Sequence, residues 1–153
     1  MLDQFIGLPY CPRRMDCADL AILIQRELYG REVLLPGKPR PRPLNPAAQD
    51  AAIDTHKDQL AEPVDTPQDG NVVLMCEPGA VTAGHIGTFF FVNHAPHVLH
   101  TASWMQGGST LHRLQDLPSL GLQVQGYYRW KSAAQKSTQS MTPTGDLSGP
   151  QTL

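Results

Sequence analysis

The clearest periodic pattern in the chain begins at Cys17. From there, apolar residues recur at the three- and four-residue spacing of one helix face: Cys17, Leu20, Ala21, Ile24 and Leu28. Asp16 precedes this pattern as a typical N-cap residue, and Gly30 follows it as a typical stop signal. The pattern therefore predicts a helix over about residues 17–29, with Cys17 at the positive end of the helix dipole.

The second half of the chain has the pattern of strands. Turn-forming residues at 67–70 are followed by short apolar runs, which we interpret as strands over 72–76, 85–92, 97–102 and 122–130. The sequence Asn-His-Ala-Pro at 93–96 predicts a hairpin turn between two of them. Helical patterns that precede a set of strands indicate an α+β fold, with an N-terminal helix packed on an antiparallel sheet.

The remaining segments indicate a single domain with two irregular parts. The 153 residues suit one domain, and five prolines between 36 and 46 predict an extended connector. An alanine-rich stretch from about 45 to 60 then predicts a second helix. From Ser132 the chain is rich in small polar residues, so we expect a domain over 1–131 and a flexible or partner-binding tail over 132–153.

Composition excludes several classes of function. The net charge of −2 argues against a protein that holds nucleic acid through phosphate contacts. No apolar run approaches the roughly 20 residues that a membrane span needs, and the N-terminus lacks the pattern of a secretory signal. We therefore expect no nucleic-acid partner, no membrane insertion and no signal peptide. The odd number of cysteines, three, does not fit a disulfide framework.

Cys17 and His85 are the first candidates for chemistry. A thiol at a helix start is activated by the dipole and by unpaired backbone N–H groups, which also suit an oxyanion. The structural alternative is a small buried core residue. His85 lies in the small-residue segment Ala83–Gly87 and is the candidate base, with a water-facing strand histidine as the alternative.

A third residue that orients His85 has two candidates, His97 and His100. Side chains alternate along a strand, so these two point to opposite faces. A hairpin centred on His94–Ala95 pairs His100 with Phe89, which shares a face with His85. This favours His100, and a slip of one residue favours His97 instead.

A metal site is the sharpest chemical alternative. Three histidines recur at every third position, and Cys76 could join them: His94, His97 and His100. They cross a predicted turn and alternate in direction, and no Cys-x-x-Cys or His-Glu-x-x-His pattern accompanies them. We therefore expect neither a metal nor another cofactor. We predict a buried strand position for Cys76, and surface positions without a role for His56 and His112.

Four parts of the chain resemble, in the same order, the motifs of NlpC-type cell-wall peptidases. The segment Gly7–Tyr10 followed by Met15–Leu20 is similar to the family's Pro-Tyr pair and Asp-Cys-Ser-Gly-Leu nucleophile motif. Pro67–Leu74 resembles the Gly-Asp-Leu-Val-Phe entry to the first core strand. Gly84–Gly87 resembles the His-Val-Gly segment that carries the base, and Val98–Thr101 the Phe-Ile-His-Ala segment that carries the third polar residue.

The resemblance implies a papain-like fold and a cysteine peptidase that cleaves peptidoglycan stem peptides. Cys17 is then the nucleophile, His85 the base and His100 the third residue. The interval from His85 to His100 is three residues longer than the common one, which His97 would match, so His97 stays the alternative. Tyr10 and Asp16 correspond to substrate or oxyanion contacts.

The short lead into Cys17 and the closing segment Gly121–Trp130 are most similar to the phage tail members of this family. This implies a tail-tip or tail-assembly protein, with peptidoglycan as substrate and other phage tail proteins as partners. Its expected location is the virion tail, or the cytoplasm of the infected cell during assembly, from which it reaches the cell wall without a signal peptide. The alternative is a catalytically idle structural component of the tail with the same fold.

Overall fold

The computed structural model describes residues 1–33, 59–80 and 83–131. The predicted connector at 36–46, most of the predicted second helix and the tail at 132–153 lie outside the described residues. The described elements, in chain order, are a 3₁₀ helix Asp3–Phe5, helix α1 Cys17–Tyr29, strands β1 Ala61–Val64, β2 Val72–Cys76, β3 His85–Val92, β4 Ala95–His100 and β5 Thr110–Arg113, a 3₁₀ helix Leu114–Leu120, and strand β6 Gln123–Trp130. The predicted α+β class is confirmed.

Helix α1 has the predicted bounds because both of its ends are set by local residues. The Asp16 side chain accepts a hydrogen bond from the Asp19 N–H at 2.9 Å, and the Asp16 N–H donates to the Asp19 side chain at 3.1 Å. This reciprocal pair is a capping box, which satisfies two of the N–H groups at the helix start. Gly30 ends the helix in the left-handed conformation, with φ of 61°. No helix in the described ranges is long and apolar enough to cross a membrane.

The six strands form one antiparallel sheet in the order β1-β6-β2-β3-β4-β5. Strands β2 to β5 form a meander, and the last predicted strand, β6, does not follow β4 in the sheet but returns to pair with β2. The two strands that sequence patterning missed, β1 and β5, are the four-residue edge strands of the sheet. Strand β1 is Ala-Glu-Pro-Val, and its proline is tolerated at an edge because an edge strand leaves part of its backbone outside the ladder.

The hairpin between β3 and β4 differs from the prediction. Its turn consists of Asn93 and His94 alone, with φ values of 50° and 63°, as in the two-residue turns that match the twist of paired strands. Strand β4 therefore begins at Ala95 and ends at His100, two residues earlier at each end than predicted. The predicted pairing of Phe89 with His100 is wrong, because Phe89 pairs with Val98.

Both faces of the central strands are covered, which explains the continuous apolar runs. On one face, α1 packs Leu20 and Ile24 against Phe90 and Leu99. On the other face, the second 3₁₀ helix and the start of β6 complete a separate cluster: Val73, Met75, Phe89, Val98, Leu117 and Leu122. We refer to these as the helix face and the far face of the sheet.

Candidate active site

His85 and His100 meet on the far face of the sheet. Strand β3 begins at His85 and its antiparallel neighbour β4 ends at His100, so the two residues lie at the same end of the hairpin. His85 Nε2 lies 2.8 Å from His100 Nδ1, with the ring planes inclined at 71°. His85 is 2% exposed and His100 is completely buried. The structure thus brings together two of the three residues predicted for the triad.

Gly87 provides the space for this contact. The register is shifted by two residues from the predicted one, and an even shift leaves every side chain on its predicted face. A side chain at Gly87 would overlap Val98 and would place its Cβ 3.1 Å from the Cβ of His100. The absence of a side chain at Gly87 therefore lets His100 lie beside His85.

His97 lies on the other side of the hairpin. It pairs with Phe90, which faces α1, and its Nδ1 lies 2.8 Å from the backbone oxygen of Ala95. The structure does not bring it to His85. The exposed His94 belongs to the turn, and within the described residues no group of three or more His, Cys, Asp or Glu side chains could hold a metal ion.

A fourth histidine, His112, extends the pair to a row. His112 lies on β5 opposite Val98, and its Nδ1 is 2.7 Å from His100 Nε2. The predicted surface position of His112 is wrong, because this residue is half-buried and bound to His100. No local pattern marks this residue, since its contact depends on the pairing of β4 with an edge strand that the sequence does not reveal. The other histidine predicted at the surface, His56, lies outside the described residues.

Glu77 is a second residue that sequence reasoning missed. It follows the last residue of β2, and its Oε1 lies 3.4 Å from His85 Nδ1, which is longer than an ordinary hydrogen bond. Nδ1 is the ring nitrogen of His85 that does not face His100. The row therefore has a carboxylate beside its His85 end.

Burial keeps the histidine row neutral near pH 7. It lowers the pKa of His85 to about 4. Burial, together with the neighbouring His85 and His112, lowers the pKa of His100 to about 2. The pKa of His112 is lowered by burial as well, against the opposing effect of the Asp116 charge. The cause is the cost of placing a positive charge in a medium that solvates it poorly.

Cys17 lies at the start of α1 on the helix face of the sheet. It is 4% exposed and belongs to an apolar cluster that includes Leu74 and Ile86, with Ala83 packed against it. Ala83 and Ile86 flank His85 in the chain, so Cys17 shares a cluster with the segment that carries the candidate base. Alternation along β3 nevertheless directs Ile86 to the helix face and His85 to the far face. The predicted contact between the thiol and His85 stays a prediction.

The other predicted site residues lie in the chain that leads to Cys17. Asp16 is completely buried and caps α1, an arrangement that does not present its carboxylate to a substrate. Tyr10 is half-buried, just before a tight loop closed by two backbone hydrogen bonds between Cys11 and Met15. Their substrate or oxyanion roles stay predictions. All three cysteines of the chain are described, and none is in a disulfide; the predicted buried Cys76 is on β2 but half-buried.

The start of the chain is fastened to the sheet. The Gly7 N–H donates to the Ser109 carbonyl at 2.8 Å, and the Ser109 N–H donates to the Leu8 carbonyl at 3.0 Å. The buried Ser109 hydroxyl adds bonds to this segment, donating to the Phe5 carbonyl and accepting from the Leu8 N–H. The lead into Cys17 is thereby held beside the start of β5.

Comparison of the chain with protein-family models, with curated proteins and with solved structures finds no match. The functional interpretation therefore rests on the residues themselves. The arrangement offers a thiol at a helix start, a buried histidine whose chain neighbours Ala83 and Ile86 pack in the same cluster as that thiol, and a second histidine hydrogen-bonded to the first. These are the components of nucleophilic catalysis by cysteine.

Proposed function

We propose that the protein is a papain-like cysteine peptidase of the NlpC type, which hydrolyses peptidoglycan stem peptides as part of a phage tail. The observation that carries the proposal is the hydrogen bond between His85 and His100, at the start of a strand whose next residue packs in the same cluster as Cys17. A buried histidine pair at this place suits a base and its orienting residue. The substrate class and the phage setting rest on the sequence resemblance.

The proposed reaction assigns one step to each group. Cys17 Sγ attacks the peptide carbonyl carbon while His85 takes the thiol proton, and backbone N–H groups at the start of α1 stabilise the oxyanion. Collapse of the adduct breaks the C–N bond, and His85 gives the proton to the leaving amine. Water then attacks the thioester with His85 as base, which releases the carboxylic acid and restores the thiol. Because His85 Nε2 faces His100, the nitrogen that moves the proton is Nδ1.

The second candidate function is a catalytically idle tail component with the same fold. One observation favours it: Cys17 and His85 are both almost completely buried, at 4% and 2% exposed. A peptide substrate needs a path to the thiol, and this arrangement must open to admit one. A structural protein has no such requirement.

Digestion of purified peptidoglycan separates these two functions. We expect the wild type to release stem-peptide fragments, identified by mass, and Cys17→Ala to release none above background. Cys11→Ala is the matched control, because Cys11 is a thiol of the same chain outside the proposed triad, and it should retain the activity. Equal, background-level release by wild type and Cys17→Ala would support the idle tail component.

A further inference from the structure

The three histidines on the far face form one continuous row. His85 Nε2 bonds to His100 Nδ1 at 2.8 Å, and His100 Nε2 bonds to His112 Nδ1 at 2.7 Å. Both nitrogens of the central ring are therefore engaged by other histidines. His85 and His100 are buried, at 2% and 0% exposed, whereas His112 on the edge strand is half-buried. The row connects the candidate base to the side of the sheet nearest to water.

A row of neutral imidazoles has only two consistent arrangements of protons. Each neutral ring carries one N–H and one lone pair, and each bond between rings needs one of each. In the outward arrangement, His85 Nε2–H donates to His100, and His100 Nε2–H donates to His112. In the inward arrangement both bonds are reversed, and the proton of His85 moves to Nδ1. Any mixed arrangement places two protons or two lone pairs against each other and breaks one of the bonds.

We propose that His112 is a positioning residue, which accepts the hydrogen bond from His100 and thereby leaves the lone pair of His85 on Nδ1. Only a lone pair on Nδ1 can take a proton from a nucleophile, because Nε2 is engaged by His100. The outward direction rests on the proposed function, because the need for a lone pair on His85 Nδ1 selects it over the inward one, whereas the coupling of the three rings rests on the hydrogen bonds alone. His112 acts on His85 through His100 and does not contact the substrate.

The charge of Glu77 at the His85 end of the row explains why an acceptor at His112 is needed. Glu77 Oε1, 3.4 Å from His85 Nδ1, attracts a proton to that nitrogen and so favours the inward arrangement. At the other end, the charge of Asp116 partly opposes the effect of burial on the pKa of His112, without selecting between the two nitrogens of that ring. If His112 holds its proton on Nε2, its Nδ1 is an acceptor and the row points outward. If the His112 ring is removed, no acceptor opposes the effect of Glu77, which favours a proton on His85 Nδ1.

Nitrogen NMR of the histidine rings tests this directly and needs no activity. In ¹⁵N-histidine-labelled full-length protein, we expect His85 to carry its proton on Nε2, with Nδ1 unprotonated. His112→Ala should move the His85 proton wholly or partly to Nδ1. His112→Asn should keep the wild-type pattern, because its side-chain oxygen is placed near the former Nδ1 and can accept from His100. His97→Ala, a histidine on the helix face, is the control and should change nothing at His85.

Two spectroscopic results would overturn the proposal. One is a wild-type His85 with its proton on Nδ1, which needs no variant and so is independent of folding defects. The other is an unchanged His85 pattern in folded His112→Ala. Both results concern the row alone, and they stand whether or not the protein cleaves peptidoglycan.

Kinetics adds a readout on the proposed reaction. We expect kcat to fall by about tenfold or more in His112→Ala, since general-base catalysis contributes about 10²–10⁴-fold, with KM little changed. His112→Asn should restore most of kcat. Equal losses in the two variants would reduce His112 to a packing role and contradict the proposal. Inactive wild type would instead contradict the proposed function, and the NMR result would still decide the role of His112.

Discussion

Strands β3 and β4 carry different side chains on the two faces of the same hairpin. On the helix face, Phe90 and Leu99 pack with Leu20 and Ile24 of α1 in an apolar cluster. On the far face, the end of the hairpin carries a row of hydrogen-bonded histidines. Burial of apolar side chains stabilises the fold, whereas burial of imidazoles costs free energy that their hydrogen bonds offset only in part. The comparison shows that the helix face of this hairpin is apolar, whereas the far face combines an apolar cluster with buried polar side chains.

The proposed site lies where the two faces come together, at the first residues of β3. Cys17 packs with Ile86 on the helix face, and the residue before Ile86, His85, belongs to the far face. An active site of this kind depends on both faces being correctly placed. Each face is therefore tested by its own substitution.

The largest expected effect is on the helix face. Ile24→Ala should lower the free energy of unfolding by about 2–5 kcal/mol, because Ile24 is completely buried between α1 and the sheet and its truncation leaves a cavity. Urea denaturation near pH 7 measures this change. Ile22→Ala is the matched control on the same helix, since Ile22 is only half-buried and should lose less. Equal losses of stability in the two variants would contradict the packing of Ile24 in the apolar cluster of the helix face.

The second effect is a pH dependence that belongs to the far face. The folded-state pKa values of His85 and His100 lie at about 4 and about 2, below the 6.5 expected in the unfolded chain. As the pH falls below about 6.5, the unfolded chain binds protons that the folded protein does not, so the free energy of unfolding decreases toward pH 4. For His85 alone the full loss is about 3 kcal/mol.

Urea denaturation at several pH values between about 7 and 5 measures this dependence. His85→Gln should lose part of the slope, because its side chain does not titrate. His94→Gln is the control, since His94 is exposed in the hairpin turn and should retain the slope. A wild-type stability that is constant over this range would show that the histidine row is not buried in its neutral form.

The third effect concerns the close contact that lets the histidines meet. Gly87→Ala should lower the free energy of unfolding by about 1–3 kcal/mol, since the new methyl group overlaps Val98 and presses on His100. Gly126→Ala on β6 is the matched control in the same sheet. There the nearest atom is a ring carbon of Tyr128 at 3.3 Å, which a small rotation relieves. A larger loss for Gly126→Ala would contradict this account of Gly87.

The smallest effect is at the start of α1. Asp16→Ala should lower the free energy of unfolding by about 1 kcal/mol, because the Asp19 N–H loses its acceptor. Asp16→Asn keeps an acceptor oxygen and should lose only a fraction of this in thermal denaturation. If both variants lose the same amount, the negative charge of Asp16, rather than the capping bond, makes the contribution.

The sequence predicts the elements whose ends are set by neighbouring residues. Asp16 and Gly30 place both ends of α1 correctly, because a capping box and a left-handed glycine act within a few residues. The bounds of β2 and β3 are also predicted, because each is a short apolar run next to turn-forming residues. The α+β class follows from the order of these elements.

Features that depend on pairing between strands are less accessible from the sequence. The turn consists of Asn93 and His94, both at positive φ, so its centre lies one residue earlier than predicted and the register is two residues off. Strand β5 has only four residues, so the contact of His112 with His100 gives no sequence signal. The face of His100 is nevertheless predicted correctly, because a register shift of two residues leaves each side chain on the same face of the sheet.

The central claim is that His85 activates Cys17, and the pH dependence of alkylation at Cys17 tests it most directly. Thiolates react with iodoacetamide and thiols do not. Peptide mapping after reaction at several pH values therefore gives, for each cysteine, the pH midpoint at which its alkylation rate is half-maximal, with Cys11 as the internal reference. We predict a Cys17 midpoint below the 8.5 or so of an ordinary thiol, and a rise toward it in His85→Gln while the Cys11 profile is unchanged. The same Cys17 midpoint in both proteins, or no reaction at Cys17 where Cys11 reacts, would contradict the claim.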